Sequence, residues 1–211
     1  MLKRFIFKEL NFLLLLFIGI IFLQCSKKPV APKEEVPDLA AVEKTLVQSD
    51  NEFGLKLFKE IVREEKDKNV FISPLSVSMA LGMTYNGANG ETQEAMQKTL
   101  GLNGLSIEEV NQCYQHLIES LTSLDLKVKF QIANSIWYRL GLTPEEEFLN
   151  LCQKYFDAQV RGLDFNHPNA ADTINGWVDQ NTNGKIKEIM NAPINPLTVM
   201  FLIDAIYFKG I

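Results

Sequence analysis

The sequence predicts an α+β fold, in which helices pack with the strands of a larger central sheet. Three observations carry that expectation. Apolar residues recur at helical spacing through much of residues 49–124, as at Phe53, Leu57 and Ile61. The period then changes to two: Val128, Phe130, Ile132, Asn134, Ile136 and Tyr138 alternate with Lys129, Gln131, Ala133, Ser135 and Trp137, the pattern of a long strand. Finally, residues 197–209, LTVMFLIDAIYFK, are strand-forming residues interrupted only by Asp204, and a segment apolar on both faces reads as a central strand.

The bulk composition bounds the rest. With 211 residues, 46% of them hydrophobic and 22% charged, the chain can build one sizeable core or two small ones. A net charge of −5 with no basic stripe excludes a nucleic-acid partner, because nothing would displace phosphate counterions. Two histidines, His116 and His167, and three scattered cysteines, Cys25, Cys113 and Cys152, are too few for a Cys/His metal site, and no cofactor is expected.

Residues 1–25 form a separate segment. MLKRFIFK is a basic start, and FLLLLFIGIIFL, residues 12–23, has no polar residue. That run is shorter than the roughly 20 residues a spanning helix needs, and it fits the apolar region of an export signal. Leu23-Gln24-Cys25-Ser26 follows and resembles a bacterial lipoprotein cleavage site, in which Cys25 would be acylated. Residues 26–48, with three prolines and mixed charges in the first half, read as a tether to a folded domain over 49–211. An exported protein, lipid-anchored at the cell envelope or extracellular, is therefore expected. Cys113 and Cys152 fall on apolar helical faces and are read as free buried thiols.

Within the domain, Ser49 or Asp50 is placed to cap the first helix, which ends in the charged run REEKDKN at residues 63–69. Val70-Phe71-Ile72 reads as a short strand, and Ser73-Pro74 as a cap with proline in the first turn. The helix from Pro74 to about Tyr85 is apolar nearly all round and must be buried on most sides. Asn86-Gly87 and Asn89-Gly90 end it, Thr92 restarts the chain as a helix, and Leu100-Gly101-Leu102 closes that helix in a Schellman-like pattern. Residues 107–124 form the next amphipathic helix. Thr143-Pro144 followed by three glutamates opens a fifth, whose face is Phe148, Leu151, Cys152, Tyr155 and Phe156. A short strand near 160–165 precedes a sixth helix carrying Ile174, Trp177 and Val178, which runs out near Asn183-Gly184.

No catalytic constellation emerges. Ser73 and Ser76 have S-x-x-S spacing without the lysine of a Ser/Lys nucleophile, and Gly87-Ala88-Asn89-Gly90 lacks the lysine and preceding strand of a phosphate loop. G-x-S-x-G and H-E-x-x-H are absent, and no third group is placed to orient either histidine. The chain is not expected to be an enzyme.

Four motifs in order identify a family resemblance. NVFISPLS with its apolar helix, then GANGET and LGL, resembles the serpins, the serine-protease-inhibitor superfamily, at their second helix and third helix. Ile174-Asn175-Gly176-Trp177-Val178 with Thr182-Asn183-Gly184-Lys185-Ile186 is similar to the family's helix F, and Leu202 to Gly210 to the third strand of its large central sheet. The resemblance implies a serpin fold over residues 50–211 in which the N-terminal helices and strands are present and the C-terminal half is absent. It implies a suicide-substrate mechanism in the complete fold: a reactive-centre loop is offered as bait to a serine or cysteine protease, and after cleavage it inserts into the sheet beside the strand matched by 198–209. It places Ser73, Ser76 and Asp204 in the shutter, the polar cluster under the point where the sheet parts. The family usually has asparagine at position 204, and a buried carboxylate must titrate upward or find a donor.

No reactive centre lies in this chain on that reading, so the chain is expected to be a fragment unable to inhibit by itself. The segment 107–124 carries Glu108, Glu109 and Glu119 and no Lys or Arg, so no sulfated polysaccharide is expected on the helix that binds it in some relatives. The alternative function is a non-inhibitory serpin-like binding or structural protein, or an inactive remnant.

Overall fold

A computed structural model describes residues 41–125 and 127–210. Their elements follow in the order α1 (Ala41–Glu64), α2 (Pro74–Tyr85), α3 (Gly90–Leu100), α4 (Ile107–Ser123), β1 (Val128–Arg139), α5 (Glu146–Phe156), β2 (Gln159–Leu163), α6 (Ala170–Asn181) and β3 (Met200–Gly210). The three strands form one sheet in the order β2-β1-β3. β1 runs parallel to β2 and antiparallel to β3, with Asn134 facing Asp204 and Ile136 facing Leu202 in the second register. The strand expected at the centre of the sheet is thus at its edge among the described residues, and the alternating strand β1 takes the middle. Hydropathy reads burial of the two faces, not the number of hydrogen-bonded neighbours, and the first half of β3 packs on both faces while one of its edges has no neighbour among the described residues.

The two faces carry separate cores. On one side Ile136 packs with Met79 and Met83 of α2, Tyr114 of α4 and Phe156 of α5, and Met200 and Leu202 lean on this cluster. On the other, Trp137 packs with Phe165, Ala170, Ala171 and Ile174, where Phe201 and Ile203 join. Alternation along β1 and β3 sends even-numbered residues to the first core and odd-numbered ones to the second.

Several local expectations are corrected. α1 includes Ala41, with Leu46 buried, so residues 41–48 of the expected tether are helical and Ser49 and Asp50 lie inside the helix, not at its cap. Their polar atoms look elsewhere: the Ser49 hydroxyl donates to the Gly101 carbonyl at 2.8 Å, and Asp50 accepts from Tyr114. Residues 70–72 form no strand, and Phe71 is 98% exposed beside a groove of about 540 Å³ shared with Leu55 and Phe58. α3 starts at Gly90 under Asn89, whose side chain accepts the Gly90 N–H, two residues ahead of the expected Thr92. α5 starts at Glu146, beyond the Thr143-Pro144 signal, with no side-chain cap.

The Schellman closure of α3 is as expected. Gly101 is left-handed at φ 72°, and the Leu102 and Gly101 N–H groups return to the Gln97 and Lys98 carbonyls. At the start of α4, Ser106 and Glu109 exchange backbone and side-chain hydrogen bonds as a capping box. These bonds hold the Glu109 carboxyl below its usual range. Ser106→Ala removes the acceptor for the Glu109 N–H and is expected to cost about 1 kcal/mol, read as a lowered urea midpoint at unchanged m-value. Ser106→Asp should restore most of the loss.

Candidate functional site

The polar residues singled out in the sequence meet where the start of α2 packs against the first-core face of β3. Proline at the first turn sets the direction of α2, and Ser73 precedes it with extended backbone (φ −112°, ψ 91°). The Ser73 hydroxyl makes no capping bond; it lies 3.0 Å from the Ser76 hydroxyl instead. Ser73 therefore caps only through its carbonyl, which accepts the Val77 N–H. One turn on, the Ser78 hydroxyl donates to the Leu75 carbonyl, so it is not spare for the cluster.

Asp204 faces the same place from β3. Both of its carboxyl oxygens are buried, and neither makes a hydrogen bond of good geometry among the described residues, although the Ser76 hydroxyl lies beside them. Burial is the main cause that pushes its carboxyl up to about 7, and the neighbouring Ser76 hydroxyl pulls it part of the way back. Across the strand pair stands Asn134, buried, whose Nδ2 donates to the Phe156 carbonyl at 2.9 Å while its Oδ1 has no partner. Asn134 belongs to the alternating pattern of β1 and is a cluster member that the site expectation above does not include. Its signal was available: it is the one amide in the inward-facing row of apolar residues 128–138.

Structure thus brings Ser73, Ser76 and Asp204 together and adds Asn134. Cys25 lies outside the described residues. Cys113 and Cys152 are buried free thiols, as expected, and burial pushes them up to about 11 and about 12, so neither is a thiolate at neutral pH. Among the described residues no group of three or more His, Cys, Asp or Glu is placed to hold a metal ion, and no helix is long and apolar enough to cross a membrane.

The opposite face of the sheet is organised around α6. Its C-terminal turn, with Asn183 at φ 50° and Gly184 at φ 75°, is tied to the start of β1: Lys129 donates to Asn183 Oδ1 and Asn183 Nδ2 to Gln131 Oε1. Asn175 of α6 donates to the Met190 carbonyl and accepts from the Ile189 and Met190 N–H groups. Arg139 donates to the Thr198 and Asn195 carbonyls and to Asn166 Oδ1, so the guanidinium at the end of β1 holds the chain that leads into β3. Asn175 and Asn183 stand in the motif of α6, but their partners, backbone groups of residues 189–190 and side chains at the start of β1, have no signature in the sequence.

The geometry is that of a helix-backed, three-stranded sheet with a hydroxyl–amide–carboxyl cluster under β3, whose outer edge is free among the described residues. Known proteins share the fold. The family model "Serpin (serine protease inhibitor)" matches residues 48–211. The chain is 35% identical to Iripin-2 of Ixodes ricinus over 175 residues, which is 81% of this chain and 44% of that one. It is 37% identical to Serpin B6 of Bos taurus, over 78% of this chain and 45% of that one. Among solved structures, the thermophilic serpin Tengpin in its latent state is 35% identical with a TM-score of 0.71, covering 83% of this chain and 46% of that chain. Human thyroxine-binding globulin is 32% identical with a TM-score of 0.72, covering 80% and 46%. The chain spans less than half the length of these relatives. With a family match over nearly all of the folded domain and a shared three-dimensional arrangement, the chain belongs to the serpin family.

Proposed function

We propose that this chain carries the sheet and shutter of a serine-endopeptidase inhibitor that works by loop insertion. The observation that supports it is the β3 edge: a long strand, sandwiched between two cores, presents an unpaired row of backbone N–H and C=O groups among the described residues. Such an edge accepts a further strand, and strand addition is how a cleaved bait loop would be taken up. In this reading Ser73, Ser76 and Asp204 form the shutter beneath that edge, with Asn134 as a fourth member. The residues matching the family model supply mechanics, while the bait that would select a serine or cysteine protease is not among them. The chain is exported and anchored through Cys25, on the strength of the basic start, the apolar run and the Leu-Gln-Cys-Ser sequence.

A second reading is favoured by two observations. Asp204 buries an acidic group at the shutter, and thyroxine-binding globulin, a family member named for binding a small molecule, is among the similar structures. On that reading the fold is kept for binding.

Two arms test these readings. The 211-residue chain, incubated with a trypsin-like and an elastase-like protease, is expected to form no SDS-stable complex; formation of one would sink the assignment of a purely mechanical role to these residues. The coding sequence beyond the Ile211 codon is then read and any continuation restored. A covalent protease complex from that product is the inhibitory outcome, and cleavage without trapping supports the binding reading.

A further inference from the structure

Five Asn-Gly pairs occur in the chain, at residues 86–87, 89–90, 103–104, 175–176 and 183–184. In such a pair the asparagine amide and the next peptide nitrogen meet easily, because glycine has no Cβ to hold them apart. Joining them requires that the nitrogen present its lone pair to the amide carbon and that the amide swing over it.

Four of the pairs are held out of that geometry by bonds of their own. The Asn86 amide exchanges hydrogen bonds with the Asn111 amide and donates to the Gly82 carbonyl, while the Gly87 N–H donates to the Thr84 carbonyl. Asn89 Oδ1 accepts the Gly90 N–H at 2.7 Å, so that nitrogen aims its hydrogen at the amide oxygen and not its lone pair at the carbon. Asn175 lies inside α6 with three bonds to residues 189–190. Asn183 is bonded to Lys129 and Gln131, and the Gly184 N–H to the Asp179 carbonyl at 2.8 Å.

The fifth pair forms the exposed tip of a tight turn. The Leu105 N–H donates to the Leu102 carbonyl at 3.1 Å, and Gly104 takes φ 85°, the positive value a type II turn requires at its third residue. The closing bond thus uses the N–H of Leu105 and not that of Gly104. A Cβ built on Gly104 would meet nothing within 4 Å among the described residues, so the Asn103 amide has room to turn over the Gly104 nitrogen. The ends of the turn are pinned. Gln97 Nε2 donates to the Leu102 and Leu105 carbonyls, at 3.4 Å each, and Ser106 begins the capping box of α4.

We propose that Asn103 is a site of spontaneous covalent modification, and that its conversion loosens the junction between α3 and α4. The Gly104 nitrogen, losing its proton to a base, attacks Asn103 Cγ; the new C–N bond expels the side-chain nitrogen, which takes up a proton and leaves as ammonia. Water then opens the succinimide. Breaking its bond to Cγ gives aspartate, whereas breaking the original peptide bond leaves an isoaspartate, whose main chain runs through Cγ and is one atom longer. A turn pinned at both ends cannot absorb the extra atom without releasing Gln97 or the cap. The site requires nothing of the inhibitory reading.

The full chain in detergent, held at neutral and at mildly alkaline pH, natively and in urea, tests the site. Conversion is read on proteolytic peptides as a mass gain of about 1 Da and by enzymatic methylation of isoaspartate. In the native chain Asn103 is expected to carry more of the product than the other four pairs together, and to convert faster at the higher pH, because a base must take the Gly104 proton. In urea the other four pairs should become comparable with it. Asn103→Gln, whose longer side chain closes a ring far more slowly, should leave position 103 unmodified over the same period. Hydrogen exchange reads the consequence: a chain converted to isoaspartate should lose protection at Lys98–Leu100 and Ile107–Val110, and Asn103→Asp, with the charge but not the extra atom, should keep it. Another Asn-Gly pair converting ahead of Asn103 in the native chain, or the same ratio among the five natively and in urea, would overturn the site. Unchanged exchange in the isoaspartate form would overturn the loosening.

Discussion

Replacing Tyr114 by alanine is expected to destabilise the fold by about 3–5 kcal/mol, the range for truncating a large buried aromatic residue. Tyr114 is fully buried, its ring 5.3 Å from that of Phe156, and its hydroxyl donates to Asp50 Oδ1 at 3.0 Å and toward the Ser78 carbonyl at 3.4 Å. It therefore joins α1, α2, α4 and α5 at one point. Gly82 is what lets the ring in: a Cβ there would stand 2.8 Å from Tyr114 Cε2. Truncation opens a cavity against Phe156 and strips Asp50 of its donor. Tyr114→Phe separates the two losses. It keeps the ring and should cost about 1–3 kcal/mol, because a buried acceptor loses its partner.

The Phe variant should also be pH-dependent. Burial pushes the Asp50 carboxyl up to about 6, and the Tyr114 hydroxyl opposes that rise. A carboxyl whose folded pKa lies above its unfolded one makes stability fall as pH rises between the two values, here from about 4 to about 6. Removing the hydroxyl raises the folded value further, so the deficit of Tyr114→Phe should be larger at pH 8 than at pH 5. Urea unfolding at the two pH values checks this; an equal deficit at both would show that Asp50 is not its cause.

Trp137→Ala is expected to cost a similar amount, about 3–5 kcal/mol, but to act on the other face of the sheet. Trp137 is 1% exposed and sits at the middle of the second core, edge-on to Trp177 at 6.5 Å and beneath the Arg161 guanidinium at 5.8 Å. Its indole N–H donates to the Ser135 hydroxyl at 2.9 Å, so its polar end is satisfied within the same strand. The second core is small, and α6 is held to the sheet chiefly through it and through Asn175. Loss of the indole should therefore release α6 before the rest. Hydrogen exchange should find the amides of 174–181 deprotected far more than those of 110–117. Uniform deprotection of both helices would mean that the two cores unfold as one unit.

The two variants also mark what the chain's pattern made legible. Periodicity located α4 and α5, each of which packs one apolar face, and β1, whose period of two survives although its two faces enter separate cores. Gly101 was legible as a helix end because it stands in LGL directly after the last helical residue, where a left-handed residue closes the helix. Caps were less legible. Ser49, Asp50, Thr92 and Thr143 are all residues that favour caps, yet Ser49 and Asp50 lie inside α1, and α3 and α5 start at Gly90 and Glu146. A short polar side chain caps only if no tertiary partner claims it. Gly101 claims Ser49, and Tyr114 claims Asp50.

By itself the sequence determined the class, the order of most elements, the family resemblance carried by NVFISPLS, GANGET, the α6 motif and LIDAIYFKG, and the presence of a carboxyl at position 204. These are local or linear properties, set by side-chain period and by residue identity. Only the tertiary structure decided that β1 and not β3 lies at the centre of the described sheet, and that Asn134 faces Asp204. It alone revealed that the Ser73 hydroxyl turns to Ser76 instead of capping α2. The reason is that strand order, register and the ownership of a donor are settled between segments distant in the chain. Asn134 and Asp204 are 70 positions apart in the sequence, and they stand opposite each other only once β1 and β3 are paired.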